Sequence, residues 1–167
     1  MIETERLTFR KYKMDDLDFY YSMLADPEMM RYIGNGKTKN LGESKEKLNL
    51  IINNYMAYNG LGIMLACRKD DGALIGHVGF VPQKIDGTVQ VELGYWIAQK
   101  YWGKGYGTEA AKAFLNYGLY TLGIDELISI IQKGNAPSIN IARKIGMKFK
   151  KDIVYYSKNV AIYEITK

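Results

Sequence analysis

The chain has 167 residues, of which 47% are hydrophobic and 25% charged, a balance typical of one globular domain with a sizeable core. Cys67 is its one cysteine and His77 its one histidine, which excludes a disulfide framework and a metal site built from several nitrogen and sulfur ligands. The net charge of +5 favours an anionic ligand, but the basic residues are too dispersed to predict a nucleic-acid partner.

The opening of the sequence predicts no targeting or membrane segment. MIETERLTFR has two glutamates and no apolar core, and no stretch approaches the roughly 18 continuous apolar residues of a membrane span. We therefore expect a cytoplasmic protein without a membrane partner. The densest basic run, KFKK at residues 148–151, is expected to be a solvated strand end.

The predicted elements begin with a strand, ERLTFRKY, because its apolar and polar residues alternate. Apolar residues at helical spacing then predict a helix from Met14 to Leu24, with two aspartates near its start. A short segment, DPEMMRYI, and a glycine-bearing loop at GNGK follow. Residues 41–59 predict another helix, with Asn59-Gly60 as its stop signal.

The middle of the chain changes to strand periodicity. LGIMLACRKDDGALIGHVGFV predicts an antiparallel hairpin that turns at Asp70-Asp71-Gly72. A further strand, Thr88 to Ala98, follows the turn Asp86-Gly87 and leads into YWGKGYGTEA, residues 101–110. From Thr108 onward, apolar residues three and four apart predict a helix with one buried face.

The last third predicts a strand, ELISIIQ, a helix from about Pro137 to Lys144 that ends at Gly146, and two closing strands, MKFKKDIVYYS and VAIYEIT, that turn about Asn159. The whole order predicts a single α+β domain over residues 1–167. Its mixed, mostly antiparallel twisted sheet of about seven strands should be flanked by helices, with one strand-helix-strand crossover inside it.

Three glycines at alternate positions, Gly103, Gly105 and Gly107, lie between a predicted strand and a predicted helix. A loop in this place can direct several backbone N–H groups at one anion, since the first-turn amides of a helix have no intrahelical partner. The alternative is a tight turn that only needs positive φ. A phosphate-binding P-loop is excluded, because Lys104 is followed by glycine and not by Ser or Thr.

A nicotinamide-binding fold is a further alternative, since Gly105, Gly107 and Ala110 match G-x-G-x-x-A. That fingerprint requires an acidic residue about 20 positions later, after the next strand. Here Asp125 and Glu126 precede the strand, and the upstream sequence is hairpin-like. The pattern therefore disfavours dinucleotide binding.

YWGKGYGTEA resembles the pyrophosphate loop of the GNAT superfamily of acetyl-CoA-dependent N-acetyltransferases, Gln/Arg-x-x-Gly-x-Gly/Ala, with Gly105 and Gly107 in the glycine positions. Trp102 replaces the Gln or Arg, as is common in the branch that acetylates the N-termini of ribosomal proteins. IETERLTFRKY, LADPEMMRYI and ELGYWIA also resemble that branch. NAPSINIARKIGMKF resembles its second motif, N-x-x-S-x-x-x-x-x-K-x-G-F, with Met147 in place of Phe, a change expected to affect packing alone.

The resemblance covers nearly the whole chain and implies an acyltransferase with acetyl-CoA as cosubstrate and no metal. It implies that the N–H groups from Gly103 to Thr108 hold the pyrophosphate and that the strand at Tyr95–Ile97 pairs with the pantetheine amides. The resemblance also implies that Asn135 contacts the cofactor arm, although the sequence alone explains this residue equally well as a helix N-cap. The residues expected to contact the cofactor are Tyr95, Trp96, Ile97, Trp102, Gly103, Lys104, Gly105, Tyr106, Gly107, Thr108, Asn135, Asn140 and Lys144, with Arg143 as a further source of charge.

For acid-base chemistry the resemblance implies Ser138 as the group that protonates the departing thiolate. Many other members use a tyrosine one turn later, where this chain has Ala142. Glu92, three residues before Tyr95 on the central strand, could take the amine proton through water, or it could instead pair with a lysine across the sheet. His77 is expected to be a hydrogen-bonded core or surface residue.

The acceptor is expected to be a primary amine. A protein α-amino group with a pKa of about 7.7 to 8.0 is roughly a tenth neutral at pH 7, whereas the pKa of a lysine must be lowered by about three units. This fits a protein N-terminus or a small-molecule amine such as a polyamine, an amino acid or an antibiotic. The resemblance places the acceptor wall between Met30 and Lys39, in a turn from Pro82 to Thr88, and near Tyr155 to Asn159.

Two further expectations concern the protein as a whole. The acid-base residues are less clear than the cofactor residues, so a non-catalytic acyl-CoA-binding module remains an alternative to an enzyme. The sequence is also compatible with a homodimer.

Overall fold

The computed structural model describes residues 2–57 and 61–167, and the predicted helix stop at Asn59-Gly60 lies outside them. The strands are β1 (Leu7–Lys11), β2 (Ile63–Arg68), β3 (Leu74–Ile85), β4 (Thr88–Ile97), β5 (Glu126–Gln132), β6 (Lys148–Tyr155) and β7 (Lys158–Thr166). The α-helices are α1 (Leu17–Leu24), α2 (Pro27–Met30), α3 (Leu41–Ala57), α4 (Tyr106–Asn116) and α5 (Ala136–Lys144). None of these described helices is long and apolar enough to cross a membrane.

The strands form one sheet in the order β1-β2-β3-β4-β5-β7-β6. The β4 and β5 strands are parallel, and the other neighbouring pairs are antiparallel. The chain crosses from β4 to β5 through α4, which confirms the predicted mixed sheet with one strand-helix-strand crossover. A dinucleotide-binding fold would need a run of parallel strands, so this topology excludes it.

The two parallel strands soon diverge. The β4 strand pairs with β5 only at Val91 with Leu127 and at Glu92 with Ile128. Just beyond these pairs the Ser129 hydroxyl donates to the Leu93 carbonyl at 2.8 Å. Further along, the facing edges of β4 and β5 separate and leave a wedge-shaped opening in the middle of the sheet.

The α4 helix covers one face of the sheet, as its spacing predicts. Phe114 is buried and its ring meets Phe9 edge-on at 5.0 Å and lies 5.8 Å from Phe80. After α4 the chain forms a π-helical turn, Tyr117–Thr121. At Gly118 a Cβ atom would lie 2.9 Å from the Phe80 ring, so glycine lets this turn lie directly on the sheet.

Side-chain caps define where two helices begin. The Asp26 carboxylate accepts from the Glu28 N–H at 2.9 Å, and Pro27 fills the first helical position of α2. Before α3, the Asn40 side chain accepts from the Glu43 N–H at 2.9 Å while the Glu43 carboxylate accepts from the Asn40 N–H at 2.8 Å. The short α2 helix directs residues 31–33 toward the wedge.

His77 is a hydrogen-bonded core residue, as expected. Its Nδ1 lies 3.0 Å from the Tyr12 hydroxyl, and its ring lies 4.7 Å from the ring of Trp96. Burial lowers the pKa of His77 to about 3, so the imidazole is neutral at physiological pH.

The predicted turn from Pro82 to Thr88 is wrong in its first half. The β3 strand continues through Pro82 to Ile85 and turns only at Asp86-Gly87. Proline is tolerated there because β2 pairs with β3 only as far as Gly79, so no β2 partner requires its missing N–H.

The closing hairpin also turns earlier than predicted. Its turn residues are Tyr156 and Ser157, with φ of 44° and 62°, and Asn159 lies inside β7, paired with Val154. Two successive residues with left-handed φ form a two-residue turn that matches the twist of the flanking strands. Such turns usually contain Asn, Asp or Gly, and this one contains Tyr and Ser. In the predicted solvated run at residues 148–151, Lys150 pairs with Glu164 at 2.5 Å and Lys151 pairs with Asp86 at 2.6 Å.

Candidate active site

A cleft of about 740 Å³ occupies the wedge between β4 and β5. The walls come from β4 (residues 92–97), β5 (residues 129–132), the loop and first turn at residues 101–108, and the start of α5. Residues 28–33 lie at the far end. The predicted site residues that line it are Glu92, Tyr95, Trp96, Ile97, Trp102, Gly103, Gly105, Tyr106, Gly107, Thr108, Asn135, Ser138, Asn140 and Lys144.

Two predicted basic residues contribute no side chain to this lining. The Lys104 ammonium lies over the Tyr101 ring, 5.6 Å from its centroid, and the Lys104 carbonyl faces Arg6. Arg143 lies on the exposed side of α5. The charge expected from these two side chains is therefore not part of the cleft wall.

The three glycines of the loop serve two different purposes. Gly103 and Gly105 have φ of 71° and 81°, which glycine adopts readily. Gly105 is the N-cap of α4, so the helix begins at Tyr106, two residues before the predicted start. Gly107 already lies in the helix, and a Cβ there would be 2.8 Å from Ile141 Cδ1. Two glycines turn the chain, and the third lets α4 approach α5.

The loop and the first turn of α4 present a run of free backbone donors. Within the described chain, the N–H groups of residues 103–108 have no hydrogen-bond acceptor, and the first helical bond runs from the Glu109 N–H to the Gly105 carbonyl at 3.1 Å. The positive end of the helix dipole lies at the same place. This arrangement suits a bound diphosphate.

Trp102 joins the loop to the end of β4. Its indole N–H donates to the Ile97 carbonyl at 2.6 Å, and the ring is 46% exposed. The tryptophan that replaces the Gln or Arg of the common signature thus forms a bond between two segments that line the cleft.

The N-terminal segment holds the same loop from outside, a contact that the sequence analysis missed. The Arg6 guanidinium donates to the Lys104 carbonyl at 3.0 Å and to the Glu109 carboxylate at 2.7 Å. Thr4 Oγ1 and the Arg6 N–H donate to the other Glu109 oxygen, at 2.6 and 2.9 Å. Burial alone would raise the pKa of Glu109, but these hydrogen bonds outweigh it and the pKa is lowered.

At the start of α5 the Asn135 side chain accepts from the Ser138 N–H at 3.3 Å, which confirms the N-cap prediction. Ser138 Oγ donates to the Tyr95 hydroxyl at 3.4 Å, and Tyr95 donates to the Ser138 carbonyl at 2.8 Å. Burial raises the pKa of Tyr95 to about 12. Two neutral hydroxyls, from β4 and α5, therefore meet at the cleft wall, whereas Ala142 is fully buried and does not line the cleft.

Glu92 is half-buried and lines the cleft at the point where β4 and β5 part. Burial raises its pKa above the ordinary glutamate value, although hydrogen bonds from Gln83 and the Ile130 backbone act in the opposite direction. Gln83 Nε2 donates to Glu92 Oε2 at 2.7 Å. The partner across the sheet is thus an amide, and the predicted alternative of a cross-strand lysine is wrong. A carboxyl with a raised pKa suits a base that works near neutral pH.

Residues 31–33 close the far end of the cleft and lie within the range from Met30 to Lys39 that was predicted as part of the acceptor wall. A Cβ on Gly134 would lie 2.7 Å from the Tyr32 ring, and Gln132 Nε2 donates to the Gly34 carbonyl at 2.9 Å. The other two predicted walls lie elsewhere, since residues 82–88 and 155–159 do not line this cleft. Among the residues that the structure describes, no cluster of three His, Cys, Asp or Glu side chains could hold a metal.

Comparisons with known proteins agree with this geometry. Residues 6–148 match the family model described as an acetyltransferase (GNAT) domain. The uncharacterized N-acetyltransferase YnaD of Bacillus subtilis is 31% identical over 166 residues, which cover 91% of this chain and 87% of YnaD.

Solved structures show the same architecture. A GNAT-family acetyltransferase from Bacillus anthracis superposes with a TM-score of 0.83 at 26% identity, over 99% of this chain and 97% of that one. RimL, a ribosomal L7/L12 alpha-N-protein acetyltransferase solved with coenzyme A, shares the fold with a TM-score of 0.80 at 13% identity, over 98% of this chain and 95% of RimL. The chain belongs to the GNAT family of acetyltransferases and is an acyltransferase.

Proposed function

We propose that this enzyme transfers the acetyl group of acetyl-CoA to a primary α-amine, such as the N-terminal amine of a protein. One observation carries the proposal: a single cleft joins the free amides of residues 103–108 to the Glu92 carboxyl. An anionic cofactor and an amine that must lose a proton would meet between these two groups.

The described residues fit acetyl-CoA in two places. The free N–H groups of Gly103 to Thr108 bind the diphosphate, and Trp102, Asn140 and Lys144 lie at the adjacent cleft wall. From Gly94 to Trp96, β4 has lost its β5 neighbour, so its backbone edge is available to the amides of the pantetheine arm up to the Ile97 carbonyl, which Trp102 occupies. Coenzyme A in the RimL structure supports this assignment.

Acetyl-CoA supplies an activated acetyl thioester, and the chain supplies proton transfer and orientation. Glu92 accepts the proton of the amine, directly or through water, and its raised pKa suits this task. A backbone N–H of β4 polarises the acetyl carbonyl. The amine nitrogen bonds to the acetyl carbon as the thioester C–S bond breaks. Ser138, hydrogen-bonded to Tyr95, gives its proton to the departing thiolate and regains one from solvent. Residues 1–167 act as one acetyltransferase domain.

The charges of the cleft favour an α-amine over a polyamine. Its described lining carries two acidic residues, Glu28 and Glu92, and two basic ones, Arg31 and Lys144. A polycation would find no excess of negative charge there. An α-amine also needs little help to become neutral, since its pKa lies only about one unit above pH 7. RimL, which shares the fold, is named for alpha-N-protein acetylation.

Release of the coenzyme A thiol with a panel of acceptors tests the proposal. The panel contains peptides with free N-termini, the same peptides with blocked N-termini and an internal lysine, spermidine, and free amino acids. We expect the highest kcat/KM with free N-terminal peptides and almost none after blocking. A higher kcat/KM with spermidine or an amino acid would overturn the acceptor assignment, and no acceptor-dependent turnover would overturn the catalytic roles.

A further inference from the structure

Two hydrogen-bonded side chains, Tyr155 and Gln83, lead to Glu92 from outside the cleft lining. The Tyr155 hydroxyl donates to Gln83 Oε1 at 2.6 Å, and Gln83 Nε2 donates to Glu92 Oε2 at 2.7 Å. The three residues come from β6, β3 and β4. Glu92 lines the cleft, whereas Gln83 and Tyr155 do not.

Strand register explains why these residues meet. On β3 and β4, Val81 pairs with Glu92 and Gln83 pairs with Gln90, so Gln83 is the diagonal neighbour of Glu92 on the same face of the sheet. Tyr155 is the last residue of β6 and reaches Gln83 from the end of the closing hairpin. Because both polar atoms of the Gln83 amide are bonded, the amide is fixed in one orientation with its donor toward Glu92.

We infer that Gln83 is a positioning residue, which holds Glu92 Oε2 from behind and leaves Oε1 for the acceptor amine, and that Tyr155 holds Gln83 in turn. The inference rests on the proposed role of Glu92 as the base. Neither Gln83 nor Tyr155 contacts the substrate in this role.

The hydrogen bond from Gln83 stabilises the charged form of Glu92, so its removal should make the carboxyl harder to ionise. Two titratable groups bear on this carboxyl, the phenols of Tyr95 on β4 and Tyr155 on β6. Burial raises the pKa of each to about 12, so both stay neutral across the working pH range. In the described chain, β3 contributes the Gln83 amide and β5 the Ile130 backbone, and neither is charged.

The test uses the full-length enzyme with Gln83→Met, which keeps the side-chain length and removes the donor, and with Tyr155→Phe. Tyr120→Phe is the matched control, because Tyr120 is 67% exposed and lies in the π-helical turn after α4, away from these hydrogen-bonded side chains. Two readouts are compared: the pH profile of kcat/KM, and the titration of the Glu92 carboxyl by carbon-13 NMR, assigned against Glu92→Gln.

For Gln83→Met we expect the acid limb of kcat/KM and the Glu92 titration to move upward together by about one to two pH units. Tyr155→Phe should move both in the same direction by less, and Tyr120→Phe should move neither. The KM for acetyl-CoA should stay within about twofold in all three variants, because none of these residues lines the cleft.

An unchanged titration of Glu92 in both Gln83→Met and Tyr155→Phe would overturn the inference. The NMR readout needs no turnover, and Tyr155→Phe still tests the inference if Gln83→Met does not fold. A failure of the proposed function would be distinguishable from a failure of this inference. If Glu92 were not the base, Glu92→Gln would keep the parental kcat/KM. The Glu92 titration in Gln83→Met would still show whether Gln83 acts on this carboxyl.

Discussion

At the scale of single residues, the Ser138 hydroxyl is the group that we propose as the proton donor to the departing thiolate. Its backbone N–H bonds to the Asn135 side chain, and its hydroxyl bonds to Tyr95. The helix cap therefore depends on the backbone of Ser138 and not on its side chain. Removal of the hydroxyl should leave the start of α5 intact.

Ser138→Ala should consequently lower kcat by about a hundredfold, the order expected for loss of one acid-base group, with little change in acetyl-CoA affinity. Steady-state thiol release gives kcat, and calorimetry gives the dissociation constant of acetyl-CoA. Ser22→Ala is the matched control, since the Ser22 hydroxyl bonds only to the Phe19 carbonyl in an exposed part of α1. Parental turnover in Ser138→Ala would remove this residue from the mechanism.

At the scale of elements, the N-terminal segment acts as a brace for α4. Glu109 lies in the first turn of the helix whose free amides face the proposed diphosphate. An uncompensated carboxylate there would repel an anionic ligand, but Arg6 pairs with it at 2.6 Å. Arg6 also fixes the Lys104 carbonyl within the loop. The segment before β1 thus contributes to the site although it does not line the cleft.

Arg6→Met should weaken acetyl-CoA binding by about two- to tenfold, the size expected for one charge near a helix terminus. The double variant Arg6→Met with Glu109→Gln should recover most of the affinity, because it removes the carboxylate together with its partner. Calorimetry at low and high salt measures both effects, and the loss should shrink as salt increases. If the double variant bound as weakly as Arg6→Met, the brace would act through loop geometry and not through charge.

At the scale of the whole molecule, local signals predicted the fold well. Alternation and helical spacing gave the strands and helices in order, and Asn135 before Pro137 marked the start of α5. The sequence predicts the last turn about Asn159 and not at Tyr156 and Ser157, because tyrosine and serine seldom adopt positive φ.

The parts of the site that the sequence did not reveal are contacts between distant segments. Arg6 and Glu109 are 103 positions apart, and Tyr155 is 72 positions from Gln83. A pattern with period two or 3.6 assigns residues to a face but not to a register, so it could place Glu92 on a strand without showing that Gln83 supports it. The resemblance named the groups that we propose to face the cofactor, and the structure added the residues that hold those groups in place.

The central claim is that the loop from Gly103 to Thr108 holds the diphosphate of acetyl-CoA. Gly107 is a poor place to test it, because any side chain there would meet Ile141 and disturb the packing of α4 on α5. Gly103 is better, since it lines the cleft and an added Cβ there would meet open space, whereas a side chain at Gly105 would face the Arg6 guanidinium at 3.4 Å. Asn and Asp have nearly the same shape and both tolerate left-handed φ, so the two substitutions differ mainly in charge.

Calorimetric titration of acetyl-CoA into the parent, Gly103→Asn and Gly103→Asp proteins is therefore the most direct measurement. We predict measurable binding by the parent, and a dissociation constant for Gly103→Asp about tenfold or more above that of Gly103→Asn, because the Asp variant adds a negative charge to the loop that would hold the diphosphate. Equal affinities for the Asn and Asp variants, or no binding by the parent protein, would contradict the claim.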